Sequence, residues 1–186
     1  MVRWKVSNGS PDGVSVCPNH NVVVTVRDAG HLVIFSPAGQ VVNDIKLAAE
    51  LVSPRHALQL DGDGEEYLLC RGYGASVYGL CVVDGNGRIT KSAAAAAAAK
   101  DVRSSRPKSF SPTHLALVAA GRGSVLVAEF SGSAVQMYNK QLDYVDDVPL
   151  DNAQLQQPFR LCVDHKSGRL YVGEYGGRAR VLVFSR

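Results

Sequence analysis

Apolar and polar residues alternate along this chain in short runs, and the runs recur in the same order four times. The segments GVSVC (13–17), VVVTV (22–26), HLVIF (31–35) and VVNDIKL (41–47) predict four successive strands, a to d, because strand side chains point to opposite faces in turn. The order returns in HALQL (56–60), EYLLC (66–70), YGLCVVD (78–84) and GRITKS (87–92), and again in HLALVA (114–119), SVLVAE (124–129), AVQMYN (134–139) and YVDDVPL (144–150). A fourth copy supplies RLCVD (160–164), RLYVGE (169–174) and ARVLVF (179–184). Each copy opens on a proline, at Pro11, Pro54, Pro112 and Pro158, and Gly-, Asn- or Ser-containing turns divide its strands.

Four short strands in a unit of roughly 40–45 residues are the signature of a propeller blade. The fold class expected is therefore all-β, a single β-propeller domain over residues 1–186 with four antiparallel strands per blade. The blades run from about 11–47, 54–92, 112–150 and 158–186. The last copy holds only three strands, and VRWKV (2–6), with Val2, Trp4 and Val6 alternating, is left over. It is expected to close the last blade as its outer strand and so shield an otherwise open edge. The alternative is a six-bladed ring, with VRWKV belonging to a preceding blade.

A low-complexity insertion, 91–111, lengthens the second copy. Its Ala93–Ala99 run has high helix propensity and Ser92 is a capping residue, but a helix this short is marginal, and a loop is expected. Lys91, Lys100, Arg103, Arg106 and Lys108 make it the most basic stretch.

Composition narrows the function classes. With 46% hydrophobic and 20% charged residues, a globular core is expected, and a net charge of +3 permits weak attraction to polyanions but does not suggest a dedicated nucleic-acid binder, with no DNA partner expected. No run approaches the roughly 20 apolar residues that span a bilayer, and the N-terminus has no signal-peptide pattern, so no membrane association and a cytoplasmic setting are expected. Cys17, Cys70, Cys81 and Cys162 form no CxxC pair and sit in apolar strands, which predicts buried thiols packing as small hydrophobes.

Candidate chemistry lies where the copies differ. The residue two after each proline is Gly13, His56, His114 or Arg160, a set expected to ring one mouth of the central channel. Two imidazoles and a guanidinium suit an anionic group or an acidic partner side chain, or else they bond neighbouring loops. No carboxylate recurs there as a third ligand, so no metal and no cofactor are expected. Arg71, Glu129 and Glu174 end equivalent b strands. Tyr73 and Tyr175 lie in the turns GYGAS and EYGGR, beside Arg71 and Arg178, as exposed anchors for a partner or for base stacking. With no GxSxG, HExxH or phosphate loop, no catalytic residue is assigned and no enzyme is expected.

The fourth copy, PFRLCVDHKSGRLYVGEYGGRARVLVFS, and the third, PTHLALVAAGRGSVLVAEFSGSAVQMYN, resemble NHL repeats; the first two copies are looser, and the resemblance runs from about Pro11 to Ser185. It implies a propeller whose rims bind protein or RNA, similar to the C-terminal substrate-recognition propeller of tripartite-motif ubiquitin ligases. The family's Asp after the b strand is replaced by Val26, Arg71, Glu129 and Glu174, and no RING, B-box or coiled coil is present in this sequence. The expected function is a non-catalytic protein-binding module, with substrate recognition for a ubiquitin ligase as its finer form. RNA binding through Arg160, Arg169, Arg178 and the 100–108 arm is the alternative. A metal-dependent lactonase- or lyase-like propeller ranks third.

Overall fold

A computed structural model describes residues 5–7, 9–51, 53–60, 64–71, 79–94, 110–118, 123–150, 154–175 and 180–184. The expected candidates Tyr73 and Arg178, most of VRWKV, and the insertion from residue 95 to 109 lie outside the described residues.

The first sheet is a meander of β1 (Pro11–Val16), β2 (Val22–Val26), β3 (His31–Phe35) and β4 (Val41–Lys46). The second holds β5 (Pro54–Gln59), β6 (Tyr67–Arg71), β7 (Gly79–Val83) and β8 (Ile89–Ala94). The third holds β9 (Pro112–Val118), β10 (Ser124–Glu129), β11 (Ala134–Tyr138) and β12 (Tyr144–Asp147). The fourth has β13 (Pro158–Asp164), β14 (Arg169–Glu174) and β15 (Val181–Phe184) among the described residues. Every pairing is antiparallel, and the sheets are arranged as the blades of a four-bladed β-propeller.

Alternation decides the packing. Val23, Leu32, Ile34 and Ile45 of the first blade meet Tyr67, Leu69, Cys81 and Val83 of the second. The other face of the second blade, Leu68, Leu80 and Val82, meets Leu115, Val125, Val127 and Tyr138 of the third. Ala116, Leu126 and Val135 of the third then meet Leu161, Leu170 and Val172 of the fourth. Both faces of an inner blade are thus buried, and removing a fully buried leucine such as Leu68 would cost about 2–5 kcal/mol.

Two expectations need correction. The alanine run does not start in a loop: β8 continues through Ser92 and Ala93 to Ala94, pairing with Leu80 and Gly79 of β7. Ladder hydrogen bonds to β7, with the half-buried Ala93 packing on the cluster between the second and third blades, override helix propensity there. Cys17, Cys70 and Cys81 are buried, whereas Cys162 is exposed, because it lies on the face of the last blade that meets no further apolar cluster among the described residues. Of the expected closing strand, Lys5 and Val6 are described; they are not in a strand, and Val6 packs on Val24, Val26, Val33 and Phe35 of the first blade.

Candidate functional site: the proline-side mouth of the channel

Each inner strand starts on its proline and is bulged at once. Pro11 pairs with Val26 and Gly13 with Thr25; Pro54 pairs with Arg71 and His56 with Cys70. The same skip occurs at Pro112/His114 and Pro158/Arg160. The residue after each proline, namely Asp12, Arg55, Thr113 or Phe159, is therefore released from the ladder. Three of these four build the mouth.

Asp12 lies 3.5 Å from the Arg160 guanidinium, 3.7 Å from that of Arg27 and 3.9 Å from that of Arg55. Arg160 also donates to the Asp12 carbonyl at 3.4 Å and to the Phe159 carbonyl at 3.1 Å, linking the fourth blade to the first. Its guanidinium carbon sits 4.1 Å above the Phe159 ring, and that of Arg55 is 5.9 Å from the same ring. Phe159 in turn is 5.4 Å from Tyr175 and 6.5 Å from Phe130, with Phe130 and Tyr175 6.1 Å apart. Among the described residues, one carboxylate stands among three guanidiniums at the mouth, and Tyr175, 67% exposed, extends its aromatic wall into solvent.

The two histidines sit below this surface and tie blades together. The Leu115 N–H donates to His56 Nδ1 at 3.3 Å, and the Leu161 N–H donates to His114 Nδ1 at 3.3 Å, each from the following blade. With Nδ1 accepting, Nε2 carries the proton, and His56 Nε2 donates to the Val14 carbonyl at 3.2 Å. The rings stack with centroids 3.7 Å apart. Burial pushes the His56 imidazole down from 6.5 to about 4; the Val14 carbonyl opposes this and the Arg160 charge adds to it. Burial, then His56 and Arg160, push His114 down to about 2. Both rings are neutral at ordinary pH. Gly13 is the counterpart of these histidines, and a Cβ there would stand 2.3 Å from the Arg55 carbonyl oxygen, so the second blade can approach only a glycine.

Carboxylates anchor the loops that deliver the prolines. Glu129 accepts from the Ser111 N–H at 2.8 Å, from the Ser131 N–H at 3.2 Å and from the Gly132 N–H. Glu174 accepts from the Gln156 N–H at 2.5 Å and pairs with Arg180, which also donates to the Gln154 carbonyl at 2.8 Å. Burial alone would push the Glu174 carboxyl up, but Arg180 and the Gln156 amide outweigh it and hold it below the usual range. In the first blade the role passes to Asp28, which accepts from the Ser10 N–H at 2.6 Å and from its hydroxyl at 3.0 Å.

Of the residues singled out in the sequence, Arg160 and Tyr175 thus come together at the mouth. His56 is buried and His114 half-buried beneath it. Arg71, 8% exposed, is turned inward, and its guanidinium donates to Ser92 Oγ at 3.4 Å. Asp12, Arg27, Arg55, Phe130 and Phe159 were not singled out. The signal for Asp12, Arg55 and Phe159 was their place directly after the proline, which counts as a site position only once the bulge is known.

No protein-family profile and no curated protein matches this sequence. Solved structures do. The chain is similar to a streptogramin B lyase, at 12% identity and a TM-score of 0.61 over 98% of this chain and 57% of that one. It is similar to a catalytically inactive histidine-to-alanine variant of virginiamycin B lyase from Staphylococcus aureus with quinupristin, at 12% identity and a TM-score of 0.60, over 98% and 58%. It is similar to a chain of a nidogen/laminin complex, at 17% identity and a TM-score of 0.63, over 92% and 60%. The chain therefore spans less than two thirds of the length of these proteins, and what the likeness shows is the fold, a β-propeller.

Proposed function

We propose that this propeller is a non-catalytic protein-binding module that takes an acidic, aromatic-containing segment of its partner at the proline-side mouth. The carrying observation is the Phe130–Phe159–Tyr175 cluster flanked by Arg27, Arg55 and Arg160, with Tyr175 standing 67% exposed at its edge. Exposed aromatics beside arginines are the residue types that dominate protein-interface energetics. Among the described residues three guanidiniums gather around one carboxylate, a setting that favours an acidic ligand. The finer reading, substrate recognition for a ubiquitin ligase of tripartite-motif type, is supported by the NHL-like repeat motif.

The test is fluorescence anisotropy with a labelled DEFDE peptide. Tyr175→Ala and Arg160→Ala are each expected to weaken binding at least about tenfold, and Arg169→Ala, on the far end of β14, to leave it unchanged. Equal binding by all variants would refute the mouth as the site. Turnover of a streptogramin by the purified protein would refute the non-catalytic reading.

RNA is the second reading, favoured by the Arg160–Phe159 stack at 4.1 Å beside Tyr175, a platform that also suits bases. It requires that a single-stranded oligonucleotide bind with a steep salt dependence and compete with the acidic peptide.

A further inference from the structure

Three of the four blades hold the loop before their proline with a carboxylate, and the second blade puts a cation in that place. Glu129 pairs with Pro112 and accepts from the Ser111 N–H; Glu174 pairs with Pro158 and accepts from the Gln156 N–H. Asp28 does the same for the Ser10 N–H in the first blade. In the second blade the residue paired with the proline, Pro54, is Arg71.

The Arg71 side chain runs outward across its own sheet. It lies over Gly79 of β7, where a Cβ would stand 3.3 Å from Arg71 Nη2 and 3.1 Å from the Ala93 carbonyl oxygen, so any larger residue would crowd the guanidinium. Beyond Gly79, Nη2 donates to Ser92 Oγ on the outer strand β8 at 3.4 Å, a long and therefore weak hydrogen bond. Arg71 is only 8% exposed, and its Nε is shut off from solvent without a hydrogen-bond partner. Among the described residues no carboxylate forms an ion pair with it. Burial pushes the neighbouring Cys81 thiol up to about 11, and the Arg71 charge opposes that push.

A lysine in this setting could shed its proton, but a guanidinium keeps its charge wherever the protein is folded. An unpaired buried charge is costly, and an anion that reached it would return much of that cost. The planar fork of a guanidinium fits two oxygens of one carboxylate or phosphate, and the exposed Ser92 hydroxyl adds a donor at its outer end.

We propose that Arg71 and Ser92 bind a small free oxyanion, a carboxylate or a phosphate, which enters past Ser92 and brings to the second blade the negative charge that Asp28, Glu129 and Glu174 bring to the others. The site lies outward of the channel mouth, since β5 carries Arg55 there while Arg71 points toward the outer strand. It stands or falls independently of the acidic segment proposed for that mouth.

The test titrates the full chain with sodium phosphate, and separately with sodium acetate, at an ionic strength held constant with sodium chloride. NMR follows the Arg71 Nε–H signal and calorimetry the affinity. A saturable shift of that signal is expected with either oxyanion and none with chloride alone. Arg71→Gln should weaken binding at least about tenfold and Ser92→Ala at least about threefold, while Arg160→Ala leaves it unchanged. Binding that survives Arg71→Gln, or an Arg71 signal unmoved by both oxyanions, would overturn the proposal. So would loss of binding in Arg160→Ala, which would place the anion at the mouth. Where Arg71→Gln does not fold, the Arg71 Nε–H signal and Ser92→Ala, a change at an exposed residue, decide the matter.

Discussion

Acidification from pH 7.5 to pH 5 should weaken the fold through two stacked imidazoles. His56 and His114 each accept an N–H from the next blade on Nδ1, and protonation there would set a donor against a donor. Burial pushes His56 from 6.5 to about 4 and His114 to about 2, so both folded-state values lie below the unfolded one. A depressed value of this sign means the stabilisation is complete above pH 6.5 and is lost as the pH falls toward the folded-state values. At pH 5 the unfolded chain binds nearly one proton per histidine that the folded chain does not, a loss of about 2 kcal/mol each and about 4 kcal/mol for the pair. Asp28, Asp84, Asp164 and Glu174 are held below the usual carboxylate range, so they withdraw stability only as the pH falls below about 5. The assay is urea unfolding at both pH values for the parent and for a His56→Gln/His114→Gln variant, whose amide oxygens accept the same N–H groups without titrating. The parent midpoint should drop by about 2 M between pH 7.5 and 5, and the variant should drop far less. Equal losses in the two proteins would refute the reasoning; where the double variant does not fold, His114→Gln alone should halve the loss.

Other consequences follow from single contacts. Gly13→Ala drives a Cβ to 2.3 Å from the Arg55 carbonyl and 2.9 Å from the His56 Cα, both backbone, and should cost about 2 kcal/mol or more by urea unfolding. Glu129→Ala strands three amide donors, that of Ser111 just before Pro112 and those of Ser131 and Gly132 in the turn between β10 and β11, and should cost about 2–3 kcal/mol, with Glu129→Gln losing less. Cys162 should react with a thiol reagent in the native state, whereas Cys17, Cys70 and Cys81, buried and pushed up to about 11, 12 and 11, should react only on unfolding.

What was legible in the sequence was whatever depends on local pattern. Alternation placed most strands within a residue or two, because one blade face must pack against the next, and the prolines marked each inner strand; β12, expected to run to Leu150, stops at Asp147, and Lys5 and Val6 of the expected VRWKV strand are not in one. The mouth was legible only in part. Counting two residues from the proline led to His56 and His114, which turn toward the following blade, while the bulge lifts the residue one after it, Asp12, Arg55 or Phe159, into the mouth. A bulge is set by how inner strands crowd around the axis, which no single repeat reveals. The loop carboxylate shows the same limit: Val26 ends β2 where a carboxylate was sought, and Asp28, two residues on, reaches the same Ser10 amide from the turn. Ser92–Ala94 joined β8 because the outer edge of the buried strand β7 offered ladder hydrogen bonds that an isolated helix this short cannot match.

The proposed function places partner recognition in the aromatic, arginine-flanked mouth where the repeats differ. An NMR titration with the DEFDE peptide tests it most directly, following the aromatic signals of Phe130, Phe159 and Tyr175 and the side-chain Nε–H signals of Arg27, Arg55 and Arg160. Saturable shifts concentrated in these six residues, abolished by Tyr175→Ala, are expected. Shifts confined to other blades or to the outer strands, with these six unmoved, would contradict it.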